Sequence, residues 1–566
     1  MLSALPAQPA AAQQSWDPLE LWPERQAPRR SPLDGATARP DDRRPEPWRA
    51  RERGAVERSE LAPISAPDTS GLPADLWRGV DLRGLEALLA SLDLPPRSPG
   101  LHKLWRRLLL STAPPPQGAD AEHFLALRLE ALYRSGLLDD MAQLIGEAGT
   151  RGAIIRVLAA RRDIGLGDRE AGCRSIAALA APASGLPGRL KGETQLLAGY
   201  CAAASGDRDA AGLAASLARE EGVEAELALA ALGGVATGDK PRLRLPQRIL
   251  LIDYRFLELL DPVDAAQVLD KAEPALLAAL AAGGAQDLRV RIAAAEAALR
   301  LNVLASDTAA DIYRQPPAGD AARAGEVPTD PHLRRARLFR AIGLAQSPDL
   351  KARLIRSALG EARSQGIALQ TAFLLAPLLS DMMPAREVDW FAATAAEIAL
   401  VAGRLDLARR WAEYGTGAQA WLAAIDLVDP ARRGGRVPSL VHLEALAAHG
   451  RLSPDFLHRL ATVVDALDIE VPIPLWDAAS RTPQPAGGFL PDTGVLADLQ
   501  QSAQRKDAGR TILLVMRALG PGGTDGANIL ALGDAVRALK RIGLEADARA
   551  LAVEALLGAW PRPAAN

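Results

Sequence analysis

Apolar residues recur at helical spacing along most of this chain, and this pattern constrains the fold more than any other feature. In the segment AEHFLALRLEALYRSG, Leu125, Leu129 and Leu132 fall at i, i+4 and i+7, which is the spacing of one helix face. Similar segments follow one another, separated by short breaks of Gly, Pro or Asp. Because short connections place consecutive helices antiparallel, the pattern predicts a series of helical hairpins.

Composition supports the same fold class. Ala and Leu are abundant and favour helices, whereas aromatic residues make up only 4% of the 566 residues. Hydrophobic residues account for 48% of the chain, which is enough to bury a large core. We therefore predict an all-α protein, a curved α-solenoid built as an array of antiparallel helical hairpins.

Several helix starts share a motif in which a Gly is followed five residues later by a small Ala. The clearest pairs are Gly206 with Ala211, Gly403 with Ala408, and Gly543 with Ala548. Gly permits a tight turn, and Ala permits close approach of the following helix. The spacing is similar to that of tetratricopeptide repeats, although a strict repeat period and a regular aromatic partner are absent. The motif predicts degenerate, tetratricopeptide-like repeats.

Longer breaks divide the array into parts. Residues 314–332 are rich in Pro and Gly and have no apolar stripe, which is typical of a linker. Residues 471–494 form a second long break that is also predicted to be a linker, at the start of which IEVPIPLW is compatible with a short extended stretch. Residues 15–70 interleave Arg with Asp and Glu among many Pro and few apolar residues, so they are predicted to form a disordered tail. The helical arrays are then expected over residues 71–313, 333–470 and 495–566.

The first 14 residues bear on the cellular compartment. Their Ala/Pro sequence resembles the small-residue end of a secretory signal peptide, but the sequence shows no basic n-region and no apolar h-region. Two interpretations follow. Residues 1–14 are either an ordinary tail of a cytoplasmic protein or the remnant of a signal peptide that directs the protein to the periplasm.

Two cysteines bear on the same choice. Cys173 and Cys201 lie on consecutive predicted helices, so a disulfide between them is geometrically compatible with an antiparallel pair. The alternative is a pair of buried free thiols. Export would favour the disulfide. Because the chain has no CxxC motif and no Cys/His cluster, we expect no structural zinc site.

Familiar catalytic and cofactor-binding motifs are not found in this sequence. The loop GPGGTDGAN lacks the Lys of a phosphate-binding loop. His442 and His449 share a helix face but do not have the HExxH spacing. Adjacent acids such as Asp139 and Asp140 are interpreted as solvated surface groups. We expect no catalytic residues, no cofactor and no bound metal.

Charge and hydropathy narrow the classes of partner. The net charge is -3, so a nucleic-acid partner is disfavoured. The apolar runs are shorter than a membrane-spanning helix requires, which predicts no transmembrane segment. We expect one or more protein partners, with association with the cell envelope as a further hypothesis.

Four segments together resemble a known family. They are similar to sequences in large Ala/Leu-rich helical-repeat proteins of alphaproteobacteria, some of which carry an automatic antifreeze label, and they read LWRRLLLSTAPPP, FLALRLEALYRSGLLDDM, LLAGYCAAASGDRDAAGLAASLAREEG and LKRIGLEADARALAVEALL. The resemblance implies a helical fold and export, and it implies no catalytic residues. The antifreeze label does not fit this chain, which has few Thr and no Ala-Ala-Thr repeat.

These observations favour a non-enzymatic interaction scaffold or adaptor in the bacterial periplasm. The long concave surface of a solenoid suits an extended partner. The alternative is a solenoid-domain enzyme that acts on envelope polysaccharide. Such an enzyme needs aromatic platforms, whereas this chain has 5 Tyr and no Trp between Trp105 and Trp390.

Overall fold

The predicted all-α fold is confirmed. The computed structural model describes residues 70–149, 152–179, 186–241, 243–261, 263–284, 286–316, 328–415, 417–429 and 440–562. Helices account for 69% of these residues, and no β-strand occurs among them. Two isolated parallel bridges join Ile249 to Ala272 and Phe489 to Ala527. The predicted signal remnant and nearly all of the predicted disordered tail lie outside the described residues.

Helices follow one another along the described chain. The first part contains α1 (Leu82–Ala90), α2 (Pro99–Leu110), α3 (Ala121–Arg134), α4 (Leu138–Ala148), α5 (Ala153–Leu166), α6 (Arg169–Ala177), α7 (Gly188–Ser205), α8 (Arg208–Glu220), α9 (Glu226–Thr237), α10 (Leu251–Glu258), α11 (Pro274–Ala282), α12 (Leu288–Arg300) and α13 (Ser306–Arg314). The second part contains α14 (Pro331–Leu344), α15 (Pro348–Ser364), α16 (Ala368–Leu379), α17 (Ala392–Val401), α18 (Leu405–Tyr414), α19 (Trp421–Val428), α20 (Val441–Ala448), α21 (Pro454–Ala466), α22 (Ile473–Ser480), α23 (Thr493–Arg505), α24 (Ala508–Leu519), α25 (Gly523–Gly526), α26 (Ile529–Arg541) and α27 (Glu545–Leu557).

One type of turn joins many of these helices. Between α7 and α8, Gly206 adopts a φ of +87°, and the N–H of Asp207 donates to the carbonyl of Ala202 at 2.9 Å. This is the Schellman arrangement, in which a left-handed residue closes the helix end. The same positive φ and the same bond from the next N–H recur at Gly136, Gly167, Asn302, Gly366, Gly403, Gly450, Asp468, Lys506 and Gly543.

The position five residues after the turn packs against the preceding helix. Ala211, Ala408 and Ala548 are completely buried at this position. Gly172 occupies the equivalent position after the turn at Gly167, and a Cβ atom there would lie 2.5 Å from Ile164 Cγ1. Small residues at this position therefore allow the two helices of a hairpin to approach closely. The tetratricopeptide likeness itself stays a prediction.

The helices pack mainly in sequential pairs, and the two ends of the array also meet. Pairs such as α5 with α6, α7 with α8, and α17 with α18 are in extensive contact. In addition, α2 packs on α24 and α27, and α1 packs on α24. Arg107 on α2 pairs with Asp547 on α27 at 2.6 Å, and the N–H of Gly509 donates to the carbonyl of Leu76 at 2.8 Å. The N-terminal helices α1 and α2 therefore pack directly against the C-terminal helices α24 and α27.

Both predicted linkers contain helical residues. Within 471–494 the chain forms α22, which packs on α20 and α21. Within 314–332, α13 ends at Arg314 and α14 begins at Pro331, while residues 317–327 lie outside the described ranges. None of the described helices is long and apolar enough to span a bilayer.

Candidate interaction surface

A groove of about 450 Å³ lies between α22 and α26, with α21 beneath it. Trp476 on α22 and Leu530 on α26 both line it. A Cβ atom at Gly533 would lie 2.9 Å from Thr462 Cγ2, so the glycine lets α26 close tightly against α21. This close contact forms the base of what we call the C-terminal groove.

Five large apolar side chains are exposed in or near this groove, and two of them, Trp476 and Leu530, line it. Their exposed fractions are 81% for Ile473, 61% for Trp476, 59% for Leu530, 53% for Leu490 and 40% for Phe489. We call these five residues the apolar rim. Ile473 and Trp476 share one face of α22 because they are three residues apart. Exposed apolar clusters of this kind typically mark docking surfaces.

The local sequence explains why Phe489 and Leu490 lie beside α26. Gly488 adopts a φ of +99°, and a Cβ atom there would lie 2.7 Å from the backbone of Ala527. The N–H of Phe489 donates to the carbonyl of Gly526 at 2.7 Å, and the N–H of Asn528 donates to the carbonyl of Phe489 at 2.9 Å. Glycine is therefore needed for this close approach, which fixes the far end of the rim.

Charged and polar side chains also line the groove. Arg537 on α26 pairs with Asp465 on α21 at 2.5 Å and lies 3.4 Å from Asp534. Toward the other end, His458 Nε2 lies 3.1 Å from the carbonyl of Thr482. The groove therefore combines apolar and polar side chains, as protein-binding patches do.

The residues that the sequence predicted to be important lie outside the C-terminal groove and stabilise the helical fold. Cys173 on α6 and Cys201 on α7 are joined in a disulfide bond, with their Cα atoms 5.7 Å apart. The three Gly of the turn motif adopt a positive φ at helix ends, and the three Ala are buried where the two helices of a hairpin pack. None of these eight residues lines the C-terminal groove.

Sequence reasoning missed the rim because α22 lies in a segment assigned as a linker. The signal was present in VPIPLWDAAS, where Ile473 and Trp476 fall three residues apart after a proline. Pro472 precedes the helix and Pro474 lies in its first turn, where proline is well tolerated. The Pro-rich composition led to the prediction of a linker, although prolines at these positions are compatible with a short helix.

Buried acids were also missed. The interpretation of Asp140 as a solvated group was wrong: this side chain is buried, and its Oδ1 accepts a hydrogen bond from Arg106 Nη2 at 2.6 Å. Three further buried glutamates lie six residues before a left-handed turn residue and pair with an arginine of another helix. They are Glu130 with Arg161, Glu296 with Arg335, and Glu397 with Arg363. Because every one of these acids has an arginine partner, we assign them to packing between hairpins.

The histidines do not assemble into a metal site. Among the described residues, no group of three His, Cys, Asp or Glu side chains is arranged to hold a metal ion. Burial, together with the nearby charge of Arg106, lowers the pKa of His102 to about 4, so this ring is neutral at physiological pH. His449 caps the end of α20, with Nδ1 2.6 Å from the carbonyl of Ala445.

Comparisons with protein-family models, with curated proteins and with solved structures found no match to this chain. Function is therefore inferred from the chemistry of the molecule's own surface. The apolar rim brings five of the exposed large apolar side chains of the described residues into one region of that surface.

Proposed function

We propose that the protein is a non-enzymatic interaction scaffold that docks a partner protein in the C-terminal groove. The apolar rim is the observation that carries this proposal. Trp476 is 61% exposed at the groove, and tryptophan is strongly enriched among the residues that dominate binding energy at protein interfaces. The well-packed helices α21 and α26 hold the rim in place before a partner arrives, which limits the entropic cost of binding.

The chemistry of the rim favours a protein ligand. Ile473, Leu490 and Leu530 are aliphatic and offer no hydrogen bonds, whereas a sugar chain presents hydroxyl groups that must be satisfied on burial. A groove between two helices that carries an exposed apolar rim and polar lining residues suits an amphipathic segment. This preference supports a scaffold over the alternative of an enzyme that acts on envelope polysaccharide.

We also propose that the scaffold works in the periplasm. The Cys173–Cys201 disulfide supports this location, because structural disulfides persist in oxidising compartments and are rare in the cytoplasm. Peptide mapping of the native protein with and without reductant tests the proposal. Recovery of the two cysteine peptides linked before reduction is expected, whereas two free thiols would contradict export.

Partner retention tests the docking surface. The tagged chain is purified from envelope extracts of its native organism as wild type, as the double variant Trp476→Ala/Leu530→Asp, and as Leu213→Asp. Leu213 on α8 is 62% exposed and lies outside the groove, so it is a matched control. We expect wild type and control to retain the same partner and the double variant to retain at least about tenfold less.

Two results would contradict the proposed function. One is a partner that binds the double variant as well as it binds wild type. The other is turnover of peptidoglycan or polyuronate by the purified protein, which would establish the polysaccharide enzyme instead. Far-UV circular dichroism of each variant verifies that the helical fold is intact before retention is compared.

A further inference from the structure

The N-terminal part of the sequence contains a short apolar motif of its own. Residues 16–22 read WDPLELW and combine Trp16, Trp22 and two leucines. No other seven-residue stretch of residues 1–69 brings as much aromatic and aliphatic surface. We call residues 16–22 the Trp segment. Removal of residues 1–14 as a signal remnant would leave it in the protein.

The chain enters the described structure beside the helices that carry the groove. The carbonyl of Ser70 accepts a hydrogen bond from Arg107 Nε at 2.9 Å, and Arg107 in turn pairs with Asp547 on α27. A few residues later, the carbonyl of Leu76 is bonded to Gly509 on α24. Both α24 and α27 pack on α26, which forms one wall of the groove.

The intervening length is sufficient for the Trp segment to reach the groove. Residues 23–69 connect the segment to Ser70. Even a flexible Gly-rich linker, which is more compact than a linker rich in Pro and charge, would have a root-mean-square end-to-end distance of roughly 40 Å at that length. A 13-residue helix such as α26 is about 20 Å long. A tethered segment of this reach has an effective concentration near the millimolar range, far above that of most free partners.

We propose that the Trp segment occupies the C-terminal groove of its own chain when no partner is bound, and that a partner must displace it. This inference rests on the proposed function, because it takes the groove to be a docking surface. The two tryptophans and two leucines would cover Trp476, Ile473 and Leu530. Such a contact keeps the rim out of water. It also means that a partner binds only if its affinity and concentration are high enough to displace the tethered Trp segment.

Hydrogen exchange of the full chain tests this contact without an identified partner. Exchange is followed by mass spectrometry for wild type, for Trp16→Ala/Trp22→Ala, and for Trp48→Ala. Trp48 is also a tryptophan of the N-terminal part but lies outside the Trp segment, which makes it the matched control. We expect the amides of α22 and of residues 484–490 to exchange about tenfold faster in the double variant than in wild type or control.

The outcomes separate this inference from the proposed function. Equal exchange of α22 in all three proteins would overturn the intramolecular contact. Protection that rises with protein concentration would assign the occupant to a second copy and would also overturn it. If protection fails while partner retention still depends on Trp476, only this inference is lost. If protection is found while partner retention is independent of Trp476, the proposed function is lost and the contact stands.

Discussion

Buried carboxylates paired with arginine connect neighbouring hairpins at the level of single residues. Glu296 on α12 is 1% exposed and accepts hydrogen bonds from Tyr313 Oη on α13 at 2.8 Å and from Arg335 Nε on α14 at 2.7 Å. Burial alone raises the pKa of Glu296, but the hydrogen bonds from His332 and Arg335 outweigh it and hold the pKa below its ordinary value. The glutamate is therefore ionised in the folded protein.

Glu296→Gln tests this network through its pH dependence. Near neutral pH we expect the free energy of unfolding to fall by about 3 kcal/mol, because Arg335 loses a buried partner. Since the pKa of Glu296 is lower in the folded than in the unfolded state, its stabilisation is complete above the unfolded value. That stabilisation disappears as the pH falls through the folded value, so the difference between variant and wild type shrinks below about pH 4.

Urea unfolding at several pH values measures this difference. The control is Glu170→Gln, which removes an exposed pair with Arg174 and should change stability by no more than about 0.5 kcal/mol. An effect of Glu296→Gln that is no larger than that of the control would argue against the network.

Turn glycines are the second residue-scale feature. Gly206 has a φ of +87°, and no atom lies within 4 Å of the position that a Cβ would occupy. Gly206→Ala therefore measures the free-energy cost of placing a residue with a Cβ in the left-handed conformation. We expect a loss of about 1 kcal/mol. Gly360, inside α15 and equally open, has no such φ, and Gly360→Ala should stabilise by about 0.5 kcal/mol. Thermal unfolding should give shifts of opposite sign; shifts of the same sign would contradict the role of the turn.

Much of the element-scale structure could be predicted from the sequence, because its causes are local. The apolar stripe of α3 and the turns at Gly206, Gly403 and Gly543 depend on residues within one or two helical turns of each other. The helix α22 was not predicted, because its prolines resemble those of a loop and its contacts with α20 and α21 are not visible in the local sequence. The buried pairing of Asp140 depends on Arg106 of another helix and was missed for the same reason.

Overpacking the hairpin contact tests the element-scale account. Ala548 on α27 is completely buried five residues after Gly543. Ala548→Leu should lower the free energy of unfolding by about 2 kcal/mol, because the longer side chain forces α26 and α27 apart. Ala497→Leu, on the exposed face of α23, is the control and should leave stability within about 0.5 kcal/mol. Equal denaturation midpoints for the two variants would show that close contact is not required at Ala548.

At the scale of the whole molecule, the ends of the array meet and the docking surface forms from separate elements. Arg107 and Asp547 are 440 residues apart in sequence, and no local sequence pattern predicts their contact. The groove combines α21, α22 and α26, each of which looks like an ordinary helix or linker alone. For this reason the candidate site, unlike the fold class, could not be identified from the sequence.

The most direct measurement of the central claim is photocrosslinking in living cells of the native organism. A photoreactive phenylalanine derivative is introduced at Leu530, on the apolar rim, and separately at Leu213, which is equally exposed on α8. The docking surface predicts a crosslinked product of higher mass from position 530 that contains the partner retained by the wild-type chain, and no such product from position 213. Absence of that product at position 530, or equal yields at both positions, would contradict the assignment of the groove as the site where a partner binds.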